Sequence, residues 1–314
     1  MKIYVEMAMG LAERRLLEDV TTGHELWTAA PGALTAGDES ACCEAEIVFG
    51  AVSKERLKKA RSLRWIQFPS VGVDAYREVD GPAFGENVVC TNLRGVFDEP
   101  VAQTVLAGIL AHYRGFRLLQ QYQARHDWQK LALRPQLRVL RDAHVLLLGN
   151  GSLAQRVRAL LSGFGCSFAV YARTSGDIHT LEALDLALPQ ADIIFAALPE
   201  TGLTAGLVDA RRIGLMKRGS LFVNVGRGSL VDEPALVCAL KSGQLCGAVL
   251  DVTRAEPLPQ EDALWDAPNV TLTQHTSAGS DQELADILRF FGENLARYQG
   301  QRPLLNVVDW NRGY

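Results

Sequence analysis

A chain of 314 residues that is 48% hydrophobic and 22% charged has the composition of a globular protein, with length for two domains that each bury a core. Its net charge of −4 argues against nucleic acid or an anionic membrane surface as a partner. No apolar run approaches the roughly 18 residues of a membrane span, and Glu6 interrupts the apolar stretch a signal peptide would continue, so the expected location is cytoplasmic. Six cysteines (Cys42, Cys43, Cys90, Cys166, Cys238, Cys246) lack metal-ligand spacing and read as reduced, mostly buried small residues.

From Lys2 to about Leu93 short strands and helices alternate. Strands are expected at residues 3–5, 46–49 and 65–68, and a helix at 53–60, opened by Ser53 with Glu55 in its first turn. Residues 32–44, rich in Gly, Ala and Asp, show weak periodicity and read as loop or short helix. A long amphipathic helix starts near Glu99, with Val101, Val105, Ile109, Tyr113 and Phe116 on one face. Such a face suits core packing, a domain connector or a dimer contact. After Arg125 the polar residues 126–130 read as surface.

A second series begins with a strand at 143–148, a helix at 153–161 and a strand at 168–171. Further strands are expected at 192–195, 221–224, 248–250 and 270–273. Near-continuous apolar runs with helical crossovers argue for a parallel sheet covered on both faces. The last helix, 281–298, is long enough to return to the first domain.

Between the first strand and helix of this series stands Gly149-Asn150-Gly151-Ser152-Leu153-Ala154. It matches the dinucleotide fingerprint, with Ala154 at the third position, where a small residue suffices. The first glycine permits the tight turn, the second lets backbone approach a pyrophosphate, and the helix N-terminus receives its charge. An NAD site places an acid about 20 residues on, to hold the ribose 2′-OH. Here the next strand ends Tyr171-Ala172-Arg173-Thr174-Ser175, with no acid before Asp177. A cation and two hydroxyls suit the 2′-phosphate of NADP, where one charge-assisted hydrogen bond is worth about 1.5–3 kcal/mol. NADP(H) is therefore the expected cofactor. NAD(H) is the alternative, if Arg173 is merely solvated and Asp177 or a water serves the ribose.

Three polar residues then follow three apolar runs. Arg227 lies in Asn224-Val225-Gly226-Arg227-Gly228, Glu256 precedes Pro257, and His275 lies between Gln274 and Thr276. A cation to hold a carboxylate, a base to move a proton and a carboxylate to tune that base are what hydride chemistry on a 2-oxo acid requires. The plainer readings pair Arg227 with a surface carboxylate and let Glu256 open a turn. The other histidines (His24, His112, His126, His144, His179) lack such neighbours and read as structural or solvated.

Over nearly its whole length the chain resembles the D-isomer-specific 2-hydroxyacid dehydrogenase family. The matching segments are Ser70-Val71-Gly72-Val73-Asp74, the glycine turn, Leu198-Pro199-Glu200-Thr201, residues 224–231, Leu250-Asp251-Val252 with Glu256-Pro257, residues 274–279 and the terminal segment 308–314. The resemblance implies two Rossmann-like parallel-sheet domains: a discontinuous substrate domain (1–94 plus 283–314) into which the cofactor domain (95–282) is inserted. It implies that Arg227 holds the substrate carboxylate and 2-oxo oxygen, and that His275 is the acid/base. Glu256 would bond the other ring nitrogen, and the Val71 and Gly72 N–H groups would receive the carboxylate.

The cofactor contacts it implies are Thr104, Gly149, Gly151, Ser152, Leu153, Arg173, Thr174, Leu198, Pro199, Thr204, Val225, Gly226, Asp251, Ser277 and Ala278. Many relatives carry an acid and a His where this chain has Ala102-Gln103-Thr104, and Val71 stands where a smaller residue is usual. The chain leaves no room after Tyr314 for the regulatory extension of some phosphoglycerate dehydrogenases. In character it is closest to NADPH-dependent glyoxylate/hydroxypyruvate reductases, giving a D-2-hydroxy acid. The alternatives are an NAD-dependent D-2-hydroxyacid dehydrogenase and a nucleotide-sensing, corepressor-like scaffold. A homodimer through the long helix is expected, and no metal. Substrate choice is expected to lie in the 49–52 turn, the Ser70 loop or the C-terminal tail, with Trp65, Trp310 or Tyr314 either limiting substrate size or packing.

Overall fold

The structure, a computed structural model, describes residues 1–78, 81–82 and 88–310. The chain forms two compact units, Met1–Phe97 with Ser280–Tyr314, and Asp98–Gly279. The second unit is thus an insertion in the first.

The first unit runs β1 (Lys2–Glu6), α1 (Leu11–Val20), β2 (Glu25–Ala29), α2 (Ala36–Glu44), β3 (Ile47–Gly50), α3 (Lys54–Leu57) and β4 (Trp65–Gln67). A two-residue ladder, β5 (Arg77–Glu78) with β6 (Gly81–Pro82), precedes β7 (Val89–Thr91). The main sheet is parallel, in the order β2-β1-β3-β4-β7. Its central strands are buried on both faces, through Ile3, Tyr4, Val5, Ile47, Val48, Phe49, Trp65 and Ile66. That is why they read as unbroken apolar runs rather than alternating ones.

Residues 32–44, expected as loop or short helix, take the helix, whereas α3, α1 and β2 depart from expectation. The weakly periodic 32–44 stretch contains a nine-residue helix, α2, because Thr35 and Asp38 form a reciprocal capping box. Asp38 N donates to Thr35 Oγ1 (3.2 Å) and Thr35 N to the Asp38 carboxylate (2.6 Å). The 53–60 helix shrinks to the single turn of α3, and Ser53 makes no side-chain cap. α1 and β2 lie outside the elements expected from sequence; β2 is an edge strand with alternating burial.

The second unit opens with α4 (Asp98–Tyr113) and α5 (Phe116–Ala124). The single helix expected here breaks at Gly115, whose φ of 65° is left-handed. Val101, Val105, Ile109 and Tyr113 are buried as expected, whereas Phe116, beyond the break, is 55% exposed. α4 packs on the helix and strand of its own unit now called α7 (Ser152–Ser162) and β12 (Leu245–Leu250). Between and around them come α6 (Lys130–Leu133), β8 (His144–Leu148), β9 (Ser167–Tyr171), α8 (Leu181–Ala187), β10 (Ile193–Ala196), α9 (Ala210–Leu215), β11 (Ser220–Asn224), α10 (Glu233–Lys241) and β13 (Val270–Leu272).

The six strands are all parallel, in the order β13-β12-β11-β10-β8-β9. Chain order reverses between β8 and β10. In sheets of this kind the crevice beyond the carboxyl ends at that reversal is where ligands bind.

The last helix, α11 (Glu283–Gln299), belongs to the first unit. Phe291 stacks on Phe49 (4.5 Å between centroids) and on Trp65 (5.4 Å), and Tyr298 stacks on Trp65 (5.5 Å). Trp65 is therefore a core packing residue. A buried polar set secures the same helix: Asn294 Nδ2 donates to Gln67 Oε1 (3.2 Å), and Leu305 N to Asn294 Oδ1 (2.8 Å). The cysteines are free thiols, with Cys42 and Cys90 buried and Cys238 exposed. Among the described residues no helix is long and apolar enough to cross a membrane, and no cluster of His, Cys, Asp and Glu is arranged for a metal.

Candidate active site

The adjacent strands β11, β12 and β13 end in register, with Asn224 opposite Leu250 and Leu250 opposite Leu272. Arg227, Glu256 and His275 lie in the loops that leave these three ends. Residues nearly fifty positions apart in sequence thus emerge on neighbouring strands at one edge of the sheet.

The Arg227 loop is fixed from below by Asn224, which is fully buried. Its Oδ1 accepts from Gly226 N (3.1 Å) and its Nδ2 donates to Arg227 O (2.9 Å). At Gly228 the loop touches the next one: a Cβ there would lie 2.0 Å from the Thr253 carbonyl carbon. Only glycine permits that approach. The Arg227 side chain is half-buried, and its Nη1 donates to Gly226 O (2.8 Å).

Glu256 uses both carboxylate oxygens. Oε1 accepts from Thr253 N (3.0 Å), which folds the loop on itself, and Oε2 lies 2.7 Å from His275 Nδ1. Its peptide bond to Pro257 is cis. Below it Glu233, the first residue of α10, accepts from Arg254 N (2.6 Å). Burial pushes the Glu233 carboxyl above the usual glutamate range.

His275 and Glu256 are 54% and 38% exposed, so their contact adds little stability. What it does is orient. With Nδ1 bonded to a carboxylate, Nε2 is the nitrogen left to exchange a proton. The backbone adds a second constraint, since Gln274 and His275 both have left-handed φ angles, 54° and 55°. Such conformations cost non-glycine residues about 1–2 kcal/mol each and persist where surroundings enforce them. The enforcing residue is Asp251, buried at the end of β12. Its carboxylate accepts from Thr273 Oγ1 (2.6 Å), Ser277 N (3.1 Å) and Ser277 Oγ (2.5 Å), and its carbonyl from His275 N (2.6 Å).

At the strand reversal, Gly149 turns with φ 114° and packs against Ala197 of the loop after β10. A Cβ on Gly151 would meet nothing within 4 Å, so backbone there is open to a close-lying group, and Ala154 is buried where α7 meets the sheet. Ser152 and Leu153 begin α7, with their N–H groups at its N-terminus. These features fit a dinucleotide pyrophosphate. At the end of β9, Arg173 and Thr174 are exposed. The Asp177 carboxylate instead folds back to accept from Val170 N (3.1 Å).

Of the other expected cofactor residues, Thr104 Oγ1 on α4 approaches Ser277 O at 3.5 Å, beside the His275 turn, and Ala278 is its neighbour in chain. Leu198 and Pro199 follow β10, and the Thr204 hydroxyl donates to Pro199 O (2.6 Å) and accepts from Thr201 N (2.9 Å), so it shapes that loop. Val225 N pairs with Ala196 O (3.0 Å), joining the β10 and β11 ends.

Val71 and Gly72 belong to the first unit, after β4. Their carbonyls are held by Asn92 Nδ2 (2.9 Å) and Ser70 Oγ (2.7 Å), while their N–H groups donate to none of the described residues. Two pinned carbonyls beside two uncommitted N–H groups suit an anion. Of the residues suggested for substrate size, Trp310 meets Phe68 edge-on (6.4 Å) within the first unit, and residues 311–314, including Tyr314, lie outside those described. Asn224, Asn92 and the turn-holding contacts of Asp251 were not foreseen. The one sequence signal for Asn224 was an amide closing an all-apolar strand.

A glycine turn at the reversal of a parallel sheet, with Arg, Glu and His at three adjacent strand ends, defines a dinucleotide-dependent oxidoreductase. Residues 106–277 match the model of the D-isomer-specific 2-hydroxyacid dehydrogenase NAD-binding domain, and the chain belongs to that family. It is accordingly an NAD(P)-dependent enzyme of the 2-hydroxyacid dehydrogenase and 2-oxo acid reductase class. It is 27% identical to a glyoxylate reductase of Korarchaeum cryptofilum over 85% of this chain and 83% of that protein. It is 30% identical to a glyoxylate/hydroxypyruvate reductase A of Salmonella newport over 63% of this chain and 65% of that protein. A D-isomer-specific 2-hydroxyacid dehydrogenase of Xanthobacter autotrophicus Py2, solved with NADPH and MES, superposes with a TM-score of 0.84 at 29% identity, covering 99% of this chain and all of that one (100%).

Proposed function

We propose that this protein is an NADPH-dependent reductase of small 2-oxo acids of the glyoxylate/hydroxypyruvate type, giving the D-2-hydroxy acid. The observation that carries the reading is the 2.7 Å contact of His275 Nδ1 with Glu256, next to the Arg227 loop. When bound, the reduced nicotinamide supplies the hydride that adds to the carbonyl carbon. The Arg227 guanidinium holds the carboxylate and oxo oxygen of the substrate through its planar fork of donors. His275 Nε2 delivers the proton to the forming alkoxide, so that one hydride and one proton convert C=O to CH–OH. Glu256 fixes the ring and offsets the charge of the imidazolium that precedes transfer. The family resemblance implies that the N–H groups of Val71 and Gly72 are further donors to the carboxylate.

The preference for NADPH rests on Arg173 and Thr174, exposed at the end of β9, and on Asp177, whose carboxylate is turned to Val170 N. An NAD-dependent enzyme needs an acid there, and the nearest one is engaged. The remaining cofactor contacts are those the resemblance implies. We place the protein in the cytoplasm and as a homodimer. The dimer face we assign is not α4, whose apolar side lies within its own unit, but α5, α6 and the segment between them, where Phe116, Leu119, Trp128 and Leu131 are exposed.

The test is an initial-rate panel of glyoxylate, hydroxypyruvate, pyruvate and bulkier oxo acids with the wild type and with His275→Ala. Saturable NADPH oxidation lost by a factor of a thousand or so in the variant is the expected result, in line with removing a proton donor and its orientation. Near-normal turnover by His275→Ala overturns the mechanism.

A further inference from the structure

The five residues between Ala172 and Ile178 form a loop whose base is sealed by backbone. Ala172 N donates to Ile178 O (3.0 Å), and Ile178 N and Asp177 N donate to Val170 O (3.0 and 2.9 Å). Gly176 presses on the same strand end, where a Cβ would lie 2.4 Å from Val170 O. None of these bonds reaches the tip, where Arg173, Thr174 and Ser175 stand exposed. The Arg173 and Thr174 side chains make no hydrogen bond to the described residues.

The tip is held from outside by Asn150, the residue between the two glycines of the phosphate turn. Its Nδ2 donates to Ser175 O and to Ser175 Oγ (3.1 Å), while its Oδ1 accepts from Gln155 Nε2 on α7. Both ends of one amide are engaged. One end ties the turn to α7, and the other ties it to the loop after β9.

We propose that Asn150 is a specificity-determining positioning residue for the cofactor: it clasps Arg173-Thr174-Ser175 to the phosphate turn, so that a 2′-phosphate meets a loop already ordered. The proposal deepens the NADP(H) reading above and rests on it. Without the clasp the tip is anchored only at its base, and ordering it on binding costs affinity. That cost falls on ligands that engage the tip through a 2′-phosphate. A ligand lacking this group, held at the glycine turn and the α7 N-terminus, does not bear it. Asn150 therefore tunes discrimination without itself supplying charge.

The test uses 2′,5′-ADP and 5′-ADP as probes, with binding to the full chain measured by calorimetry. For the wild type, 2′,5′-ADP is expected to bind at least tenfold tighter. In Asn150→Ala its Kd should rise about fivefold, the order of one net hydrogen bond lost, while the Kd for 5′-ADP and the Tm stay nearly unchanged. Asn150→Asp, similar in shape but unable to donate to Ser175 O, should lose at least as much. A parallel split in steady state, with KM for NADPH raised and kcat kept, supports the same conclusion. If the wild type prefers 2′,5′-ADP but the variants weaken both probes equally, or neither, the clasp is overturned and the NADP(H) reading stands. A wild type with no preference between the probes overturns that reading and the clasp with it.

Discussion

Replacing Asp251 with Ala separates two roles that one buried carboxylate can hold. The family resemblance makes it a nicotinamide contact, whereas its three hydrogen bonds to Thr273 and Ser277 make it the residue that holds the His275 turn. Without them, Gln274 and His275 are free to leave their left-handed conformations, each of which costs about 1–2 kcal/mol to maintain. Restoring the competent turn at each turnover then costs about 3 kcal/mol, or about 100-fold in kcat. The Ser277 N–H is left buried and unpaired, which adds about 1–3 kcal/mol of destabilisation, visible as a lower Tm. Asp251→Asn keeps one acceptor and should lose about tenfold in kcat. The assay is steady-state reduction of glyoxylate with NADPH varied, alongside thermal unfolding. A variant with normal kcat but a KM for NADPH raised by two orders of magnitude would refute the turn-holding role and restore the nicotinamide contact.

Three other outcomes follow from the same contacts. Gly228→Ala drives a methyl into the Thr253 backbone and must push the Arg227 and Glu256 loops apart; a stability loss of about 1–3 kcal/mol is expected, with kcat falling more than tenfold. Arg173→Ala should lower kcat/KM with NADPH about tenfold or more and leave NADH nearly unchanged, and an equal loss with both would contradict the assignment of this loop. For Glu233 the sign comes from burial, which raises its folded pKa above the unfolded value near 4.5. The stability it contributes is present below that value and is lost as pH rises through the folded pKa. Glu233→Gln should therefore gain Tm relative to the wild type between pH 4.5 and pH 7, and a constant difference across that range would show that the carboxyl is not perturbed.

The strands were legible because β1, β3, β4, β8, β10 and β11 are buried on both faces and so read as apolar runs. Arg227, Glu256 and His275 were legible by residue type, since each follows the end of an expected strand by only a few positions. The α4–α5 break was not, because Phe116 continues the three- and four-residue spacing of α4 and only Gly115 marks the stop. The capping box of α2 escaped because Asp38, not Glu or Gln, closes it. Least legible were the clasps made by Asn150, Asn224 and Asp251. Their partners lie in loops that meet only when strands align, and a left-handed histidine leaves no glycine to announce it. Sequence thus pointed to the groups proposed to react, and the structure supplied what holds them.

The central claim is tested most directly by kcat/KM for glyoxylate and hydroxypyruvate reduction with NADPH and with NADH, measured on the same preparation. Saturable reduction of both acids is expected, with NADPH favoured at least tenfold. Activity with neither acid, or an NADPH-to-NADH ratio below one, would contradict it.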